Sequence, residues 1–172
     1  SGMTVAYGDD RRGDTAVQID TLKKIGNVMT TVPPDFQVHS KLQRVLNTRS
    51  QAIKTGKNLD WATAEHLAFG SAVLDGFVVR LSGQDSCRGT FSQRHAVFVD
   101  QRSEDRYVPL ANLSAEQAKF EVIDSPLSEA SVMGFEYGFA QAEPNAIVMW
   151  EAQFGDFANG AQVVVDQFIS SG

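Results

Sequence analysis

The predicted fold is organised around Asp124 to Phe157, which opens with Asp124-Ser125-Pro126-Leu127-Ser128-Glu129 and closes with Trp150-Glu151-Ala152-Gln153-Phe154-Gly155-Asp156-Phe157. An acidic residue follows a strand-like run and a proline. A second predicted strand, Ala146 to Trp150, leads into two phenylalanines three residues apart. Aromatic faces can pack on a flat, nitrogen-containing ring while a carboxyl group bonds its edge. The stretch therefore leaves two interpretations: a pocket for a planar heterocycle, or a first-turn helix acid at Glu129 with core aromatics at Phe154 and Phe157.

The rest of the chain predicts an α/β protein. Apolar spacing and caps predict helices that run from Asp14 or Thr15 to before Pro33, from near Asp35 to Lys57, from Trp61 to Asp75, from Ser128 to Ala140 and from Phe157 to Ser170. Short apolar runs predict strands at 77–81, 96–99, 107–110, 120–123 and 146–150. Because strands alternate with helices, we expect a mostly parallel sheet flanked by helices.

Polar loops follow three of the predicted strands, at residues 82–85, 124–129 and 151–156. The carboxyl ends of parallel strands meet at one edge of a sheet, and ligands bind there. We therefore expect these loops to share one pocket.

The fourth predicted helix contains Gly134 and Gly138. A glycine in a helix is less stable than alanine by about 0.5–1 kcal/mol. We expect close packing against a neighbouring element to compensate for this loss.

Composition excludes several classes of function. The chain has 172 residues, 42% of them hydrophobic, and a net charge of -6 with no long basic run, so we expect one domain and no nucleic-acid partner. No apolar stretch approaches the roughly 20 residues that span a bilayer, so we expect no membrane partner. Cys87 is the single cysteine, which favours a reducing compartment. Residues 1–13, beginning Ser1-Gly2-Met3, are interpreted as a tag remnant and lead-in.

Motifs for other chemistries are absent from the sequence. It has no GxGxxG, no P-loop, no HExxH and no paired-cysteine pattern, and its three histidines lack ligand spacing, so we expect no metal site. His66 is interpreted as a satisfied core residue. Cys87 stands beside Arg88, which leaves two interpretations: a reactive thiol with a lowered pKa, or a bystander, which we favour.

A resemblance to one enzyme family rests on several motifs that occur in the same order. These are Leu81–Asp85, Arg88–Ala96, Leu127–Glu129, Gly134–Gly138 and Trp150–Gln162. Together they resemble the dehydrogenase component of the 2-oxo-acid dehydrogenase complexes that acts on 2-oxoglutarate. A close relative that acts on 2-oxoadipate carries nearly the same motifs, so both substrates stay open.

The resemblance implies a thiamine diphosphate enzyme. Residues 58–172 would form its pyrimidine-binding domain, incomplete at the C-terminus, after a helical N-terminal segment at 14–57. Glu129 is the implied catalytic acid, bonding a ring nitrogen of the aminopyrimidine, because a carboxyl group kept from water holds its proton more readily. Other implied cofactor contacts are Gln84, Leu127, Phe154 and Phe157. Arg94 and His95 either line a substrate or lipoyl channel or have a structural role.

The resemblance also implies partners and a missing half of the site. The family's Gly-Asp-Gly motif with a later asparagine, which holds diphosphate and magnesium, does not occur here. We therefore expect the chain to be a fragment, whose full-length parent is a homodimer that passes an acyl group to a lipoyl-bearing succinyltransferase. The expected compartment is the mitochondrial matrix in a eukaryote or the cytoplasm in a bacterium. The rival hypothesis is an isolated, non-catalytic interaction or regulatory module.

This division of the site leads to a first prediction. The chain alone should bind thiamine diphosphate with magnesium only weakly, with a dissociation constant of about 1 mM or more, because the diphosphate anchors are missing. Isothermal titration calorimetry on the chain measures the affinity, with magnesium alone as the control. Micromolar binding would contradict the expectation that the site is incomplete.

Overall fold

A three-stranded parallel sheet lies at the centre of the fold. The computed structural model of the chain describes residue 13 and residues 15–171. In chain order the main elements are α1 (Ile19–Thr30), α2 (Ser40–Thr55), α3 (Trp61–Leu74), β1 (Val78–Gly83), β2 (Phe98–Val99), β3 (Arg106–Tyr107), β4 (Phe120–Asp124), α4 (Glu129–Ala142) and β5 (Ala146–Glu151). The expected α/β architecture with a parallel sheet flanked by helices is confirmed.

The strand register aligns the loops that were expected to share a pocket. The strand order is β4-β1-β5, and both neighbours run parallel to β1. Gly83, the last residue of β1, stands opposite Asp124 on one side and Glu151 on the other. The loops after these three strands therefore leave the same edge of the sheet.

Two apolar clusters hold the helices in place. In the larger one, Ile25 and Met29 of α1 pack with α3 and the sheet, alongside Leu67, Phe69, Val73, Val79, Leu81, Leu110, Leu113 and Phe120. In the smaller one, Leu42 and Leu46 of α2 pack against Phe98 of the β2–β3 pair. Residues before position 57 thus contribute to both clusters. Among the described helices, none is both long and apolar enough to cross a bilayer.

The first two helices begin later than predicted. Helix α1 starts after Gln18, whose ψ of 135° is extended; Thr15 lies outside the helix and Asp14 outside the described residues. Helix α2 starts at Ser40 rather than near Asp35. The reason is tertiary: the Gln37 N–H donates to the Asp100 carboxylate at 2.8 Å, and the Gln37 carbonyl accepts from the Gln101 N–H at 2.8 Å. These bonds keep the segment before α2 extended.

The two predicted strands at 96–99 and 107–110 are reduced to a two-residue antiparallel ladder. Phe98 pairs with Tyr107 and Val99 with Arg106, in a sheet separate from the central one. Residues Pro109–Asn112 form a 3-10 turn instead of an edge strand. The turn places Leu110 in the larger cluster, where it is fully buried.

The predicted C-terminal helix from Phe157 to Ser170 is broken into three short pieces. They are a 3-10 turn at Asp156–Ala158, a helical turn at Gln162–Val164 and a π-helical turn at Val165–Ile169. The Asp156 carbonyl accepts from the N–H groups of Asn159 and Ala161, both at 3.3 Å, which closes the first piece before a helix can continue.

The expectation about the glycines of α4 is wrong. A Cβ atom built on Gly134 or Gly138 meets no described atom within 4 Å. The compensation for these two glycines therefore does not come from packing within the described chain.

Helix α4 is instead fixed by a buried ionic contact with the sheet. The Arg80 guanidinium of β1 donates to Glu136 of α4 at 2.7 and 3.0 Å and to Glu121 of β4 at 2.8 Å. The rings of Phe135 and Phe139 lie 5.2 and 4.9 Å from the same guanidinium carbon. Arg80 thus sets the rotation of α4, and with it the direction of Glu129 at the helix start.

His66 lies in the core, as interpreted from the sequence. It is buried in α3, and its Nδ1 is 2.8 Å from the Ala62 carbonyl oxygen. Burial lowers the pKa of His66 to about 4, and the nearby Arg49 and Arg94 act in the same direction.

This lowered pKa predicts a loss of stability in acid. As the pH falls from about 6.5 to about 4, the unfolded chain binds a proton that the folded chain excludes, which removes about 3 kcal/mol of unfolding free energy. The free energy of unfolding, measured with urea, should fall less between about pH 7 and about pH 4.5 in His66→Gln than in the unmodified chain. His39→Gln, at an exposed site, is the matched control. If His66→Gln loses as much unfolding free energy between the two pH values as the unmodified chain does, the prediction is contradicted.

The interpretation of Cys87 as a reactive thiol is wrong. Burial and the neighbouring Asp124 raise the pKa of Cys87 to about 11. Its N–H donates to the Asp124 carboxylate at 2.8 Å, and Nη2 of Arg106 lies 3.3 Å from its sulfur. The thiol is therefore a bystander, in agreement with the favoured interpretation.

A raised thiol pKa predicts slow alkylation. At about pH 8 the folded chain should react with iodoacetamide at least about 100-fold more slowly than the chain in urea, because the thiolate is the reacting species. Since the chain has one cysteine, mass spectrometry follows a single modification. Equal rates in buffer and in urea would contradict the assignment.

Candidate cofactor-binding site

Glu129 is the first residue of α4, at the sheet edge where the strand loops meet. Its side chain is half-buried, and no hydrogen bond or ion pair reaches its carboxylate from residues 15–171. The positive end of a helix favours a negative charge at this position. Because no described group bonds them, the carboxylate oxygens stay available to a ligand.

Gly160 keeps the space beside Glu129 open. A Cβ atom built on Gly160 would lie 3.3 Å from Oε2 of Glu129, 3.4 Å from its Cβ and 3.5 Å from the Ala130 nitrogen. A side chain at position 160 would thus press on the carboxylate. Gly160 was not among the predicted site residues, although it lies in the run that resembles the enzyme family.

Three of the predicted site residues line one closed crevice, which we call the Glu129 cleft and which is too narrow to admit a water molecule. It brings Gln84 and Leu127 together with Glu129. Its other lining residues are Gly83, Ser125, Val132, Trp150 and Asp156. The three strand loops therefore do meet in one place, as expected from the sheet.

The predicted phenylalanines line a second cavity of about 260 Å³, which we call the aromatic cavity. The ring of Phe157 packs edge-on against Trp150 at 5.6 Å between centroids. Since Trp150 also lines the Glu129 cleft, the two cavities are neighbours. Phe154 packs edge-on against Phe91 at 5.9 Å. The two phenylalanines thus have different neighbours.

Phe91 is a cavity residue that the sequence analysis missed. Its ring is 74% exposed and that of its partner Phe154 is 85% exposed, so both present apolar surface to a ligand or a covering chain. The adjacent Thr90 hydroxyl is hydrogen-bonded to the Gln153 side chain at 2.8 and 3.1 Å, which joins the two loops. Phe91 lies within the resembling run Arg88–Ala96, and its aromatic character was the available clue.

The end of β1 can approach β5 closely because residue 83 is glycine. A Cβ atom on Gly83 would lie 2.5 Å from the Glu151 carbonyl oxygen and 2.6 Å from the Ser86 hydroxyl. No side chain fits in that space, so glycine is required where the first loop leaves the sheet.

Arg94 is buried beneath the site rather than lining it. It is 4% exposed; its Nε donates to Glu65 at 2.7 Å, its Nη1 donates to the Ser86 carbonyl at 3.0 Å, and it forms an ion pair with Glu151. These contacts agree with a structural role for Arg94, which was one of the two roles expected from the sequence. His95 is half-buried, burial lowers its pKa, and neither residue lines the two cavities. A substrate role for His95 stays a prediction.

The described residues offer no protein site for a metal ion. No group of three or more histidine, cysteine, aspartate or glutamate side chains within them could hold one.

Comparison with known proteins agrees with this geometry. The family described as transketolase, pyrimidine binding domain, matches residues 57–172. The 2-oxoglutarate dehydrogenase E1 components of Brucella canis, Brucella abortus and Brucella melitensis are each 58% identical to this chain over 174 aligned positions. The alignments cover all of this chain but 17% of each relative's length. The resemblance found in the sequence is confirmed, and the chain belongs to the transketolase pyrimidine-binding domain family.

Proposed function

We propose that this chain is the pyrimidine-binding part of a thiamine-diphosphate-dependent 2-oxoglutarate dehydrogenase. The observation that carries the proposal is the Glu129 carboxylate, half-buried at the sheet edge and without a partner among residues 15–171. The names of the relatives support 2-oxoglutarate, rather than 2-oxoadipate, as the substrate of the whole protein.

The chemical types of the side chains at the site suit an aminopyrimidine ring. Such a ring needs a carboxyl group at its edge and apolar surface against its faces, and Glu129 and the neighbouring aromatic side chains supply both. Gly160 contributes by leaving the carboxylate unobstructed. Gln84 and Leu127, both exposed on the cleft wall, complete the surface that would contact the ring.

Glu129 would hold and move a proton at its carboxyl oxygen. When bound, thiamine diphosphate supplies a thiazolium ring that accepts the electrons released as a 2-oxo acid loses carbon dioxide. The Glu129 carboxyl would share a proton with a pyrimidine nitrogen, and Phe157, packed on Trp150, would help to exclude water from that bond. Exclusion of water strengthens the hydrogen bond between carboxyl group and ring.

The remaining functions are assigned to other parts of a longer protein. We infer that diphosphate and magnesium are held by a domain outside this chain, supplied by the partner subunit of a homodimer. We further infer that the succinyl group passes to the lipoyl arm of a succinyltransferase component. Because the relatives are bacterial, we place the protein in the cytoplasm rather than in a mitochondrial matrix.

Replacing the carboxyl group tests this role. In the full-length protein that carries this segment, Glu129→Gln should lower the rate of carbon dioxide release from 2-oxoglutarate at least about 100-fold, because the amide cannot take up or give a proton. Cofactor affinity should fall less than about tenfold, because the amide still bonds the ring edge. Calorimetry and a carbon dioxide assay separate the two effects.

The exposed Glu116 provides the matched control, as Glu116→Gln makes the same chemical change away from the cleft. Glu116→Gln should keep both activity and cofactor affinity. Near-normal turnover by Glu129→Gln would refute the assigned role. A full-length protein that binds no thiamine diphosphate would instead favour the non-catalytic module.

A further inference from the structure

Arg49 of α2 is a buried cation that no carboxylate contacts directly, although Asp60 and Glu65 attract it from a greater distance. Its side chain is 3% exposed, and no ion pair to it forms within the described part of the chain. Its Nη1 donates to the Arg94 carbonyl at 2.9 Å and its Nη2 donates to the Gln93 carbonyl, whereas its Nε has no hydrogen-bond partner there. Burying a guanidinium in this way is unfavourable unless its hydrogen bonds satisfy groups that need a donor.

The groups that Arg49 satisfies belong to residues 84–97, which we call the motif loop. The motif loop has no helix or strand, yet much of it is buried. A buried loop must find donors for its carbonyl groups outside regular secondary structure. Arg49 supplies two of these donors from a different element, at the point where Thr90, Phe91 and Gln93 line the aromatic cavity.

The conformation next to these carbonyls needs external support. His95 has a φ of 51°, in the left-handed region that residues other than glycine rarely adopt. Such a conformation persists where surrounding contacts determine it. The bonds from Arg49 hold the two residues immediately before His95.

Arg49 also lies outside the region that matches the pyrimidine-binding domain, which starts at residue 57. We propose that Arg49 is a positioning residue: from the helical segment that precedes the matched domain, it holds the motif loop in the conformation that forms the aromatic cavity. The segment before residue 57 is then a required part of the site's framework rather than a linker.

Amide hydrogen exchange on this chain tests the proposal directly. The N–H groups of Gly89, Ser92, Arg94, His95 and Ala96 are all hydrogen-bonded within the motif loop, so their exchange reports its opening. In Arg49→Met these amides should exchange at least about tenfold faster, because two charge-assisted hydrogen bonds are lost. Amides of α4 should change much less.

Two further variants sharpen the comparison. Arg49→Lys keeps a buried charge and can still donate to a carbonyl, so it should restore part of the protection. Arg44→Met, at an exposed position of the same helix, should leave the motif loop unchanged. If Arg49→Met does not fold, Arg49→Lys alone decides: relative to the unmodified chain, exchange in the motif loop should accelerate more than exchange in α4. Unchanged exchange in the motif loop, or equal acceleration everywhere, would overturn the proposal.

An activity measurement extends the test to the reaction and rests on the proposed function. In the full-length protein, Arg49→Lys should lower kcat/KM for 2-oxoglutarate at least about threefold, with Arg44→Met as control. If exchange in the motif loop is faster but kcat/KM is unchanged, the conformation of the loop does not influence the reaction. If Glu129 proves to have no role in the reaction, the exchange measurement still tests whether Arg49 holds the motif loop.

Discussion

The ion pairs of Arg94 are the interaction on which the site depends. Its buried guanidinium lies between Glu65 of α3 and Glu151 at the end of β5, and it also bonds the Ser86 carbonyl. Two carboxylates and a carbonyl satisfy the charge, which is the condition under which a buried ion pair is tolerated. Removing one partner would leave an uncompensated charge in the core. Arg94 therefore ties the motif loop, the helix layer and the central sheet into one unit.

Arginine side chains fix the other two sides of the site in a similar manner. Arg80 connects β1 and β4 to α4, and so determines where Glu129 stands at the start of that helix. Arg49 connects α2 to the carbonyls of the motif loop. Each of these arginines adds directed hydrogen bonds to the apolar packing between the elements, because a guanidinium fixes direction as well as distance.

The resulting site has two neighbouring parts that present different chemical groups. The Glu129 cleft presents one available carboxylate, and the aromatic cavity beside it presents exposed phenylalanine rings. Large exposed apolar groups such as Phe154 and Phe91 gain stability when a ligand or another chain covers them. This arrangement suits a surface that recognises one end of a cofactor, in a chain that spans 17% of the length of its relatives.

The local sequence determined the positions of those elements whose ends are set by residues within them or next to them. Helix α3 starts after the Asp60 cap and is followed by Gly76 at a φ of 92°, and β1, β4 and β5 are close to their predicted positions because their apolar runs are continuous. The motifs also predicted Glu129, Gln84 and Leu127 as site residues, and these three side chains lie around one cleft. The break after Asp156 comes from local bonds, in which its carbonyl accepts from residues 159 and 161, and the apolar spacing did not show them. Only the tertiary structure decided the start of α2 and the inward turn of Arg94, because each depends on a contact with a residue distant in the sequence, which local spacing does not encode. Phe91 joined the site for the same reason: its partner Phe154 is far along the chain, and only the parallel register brings their loops together.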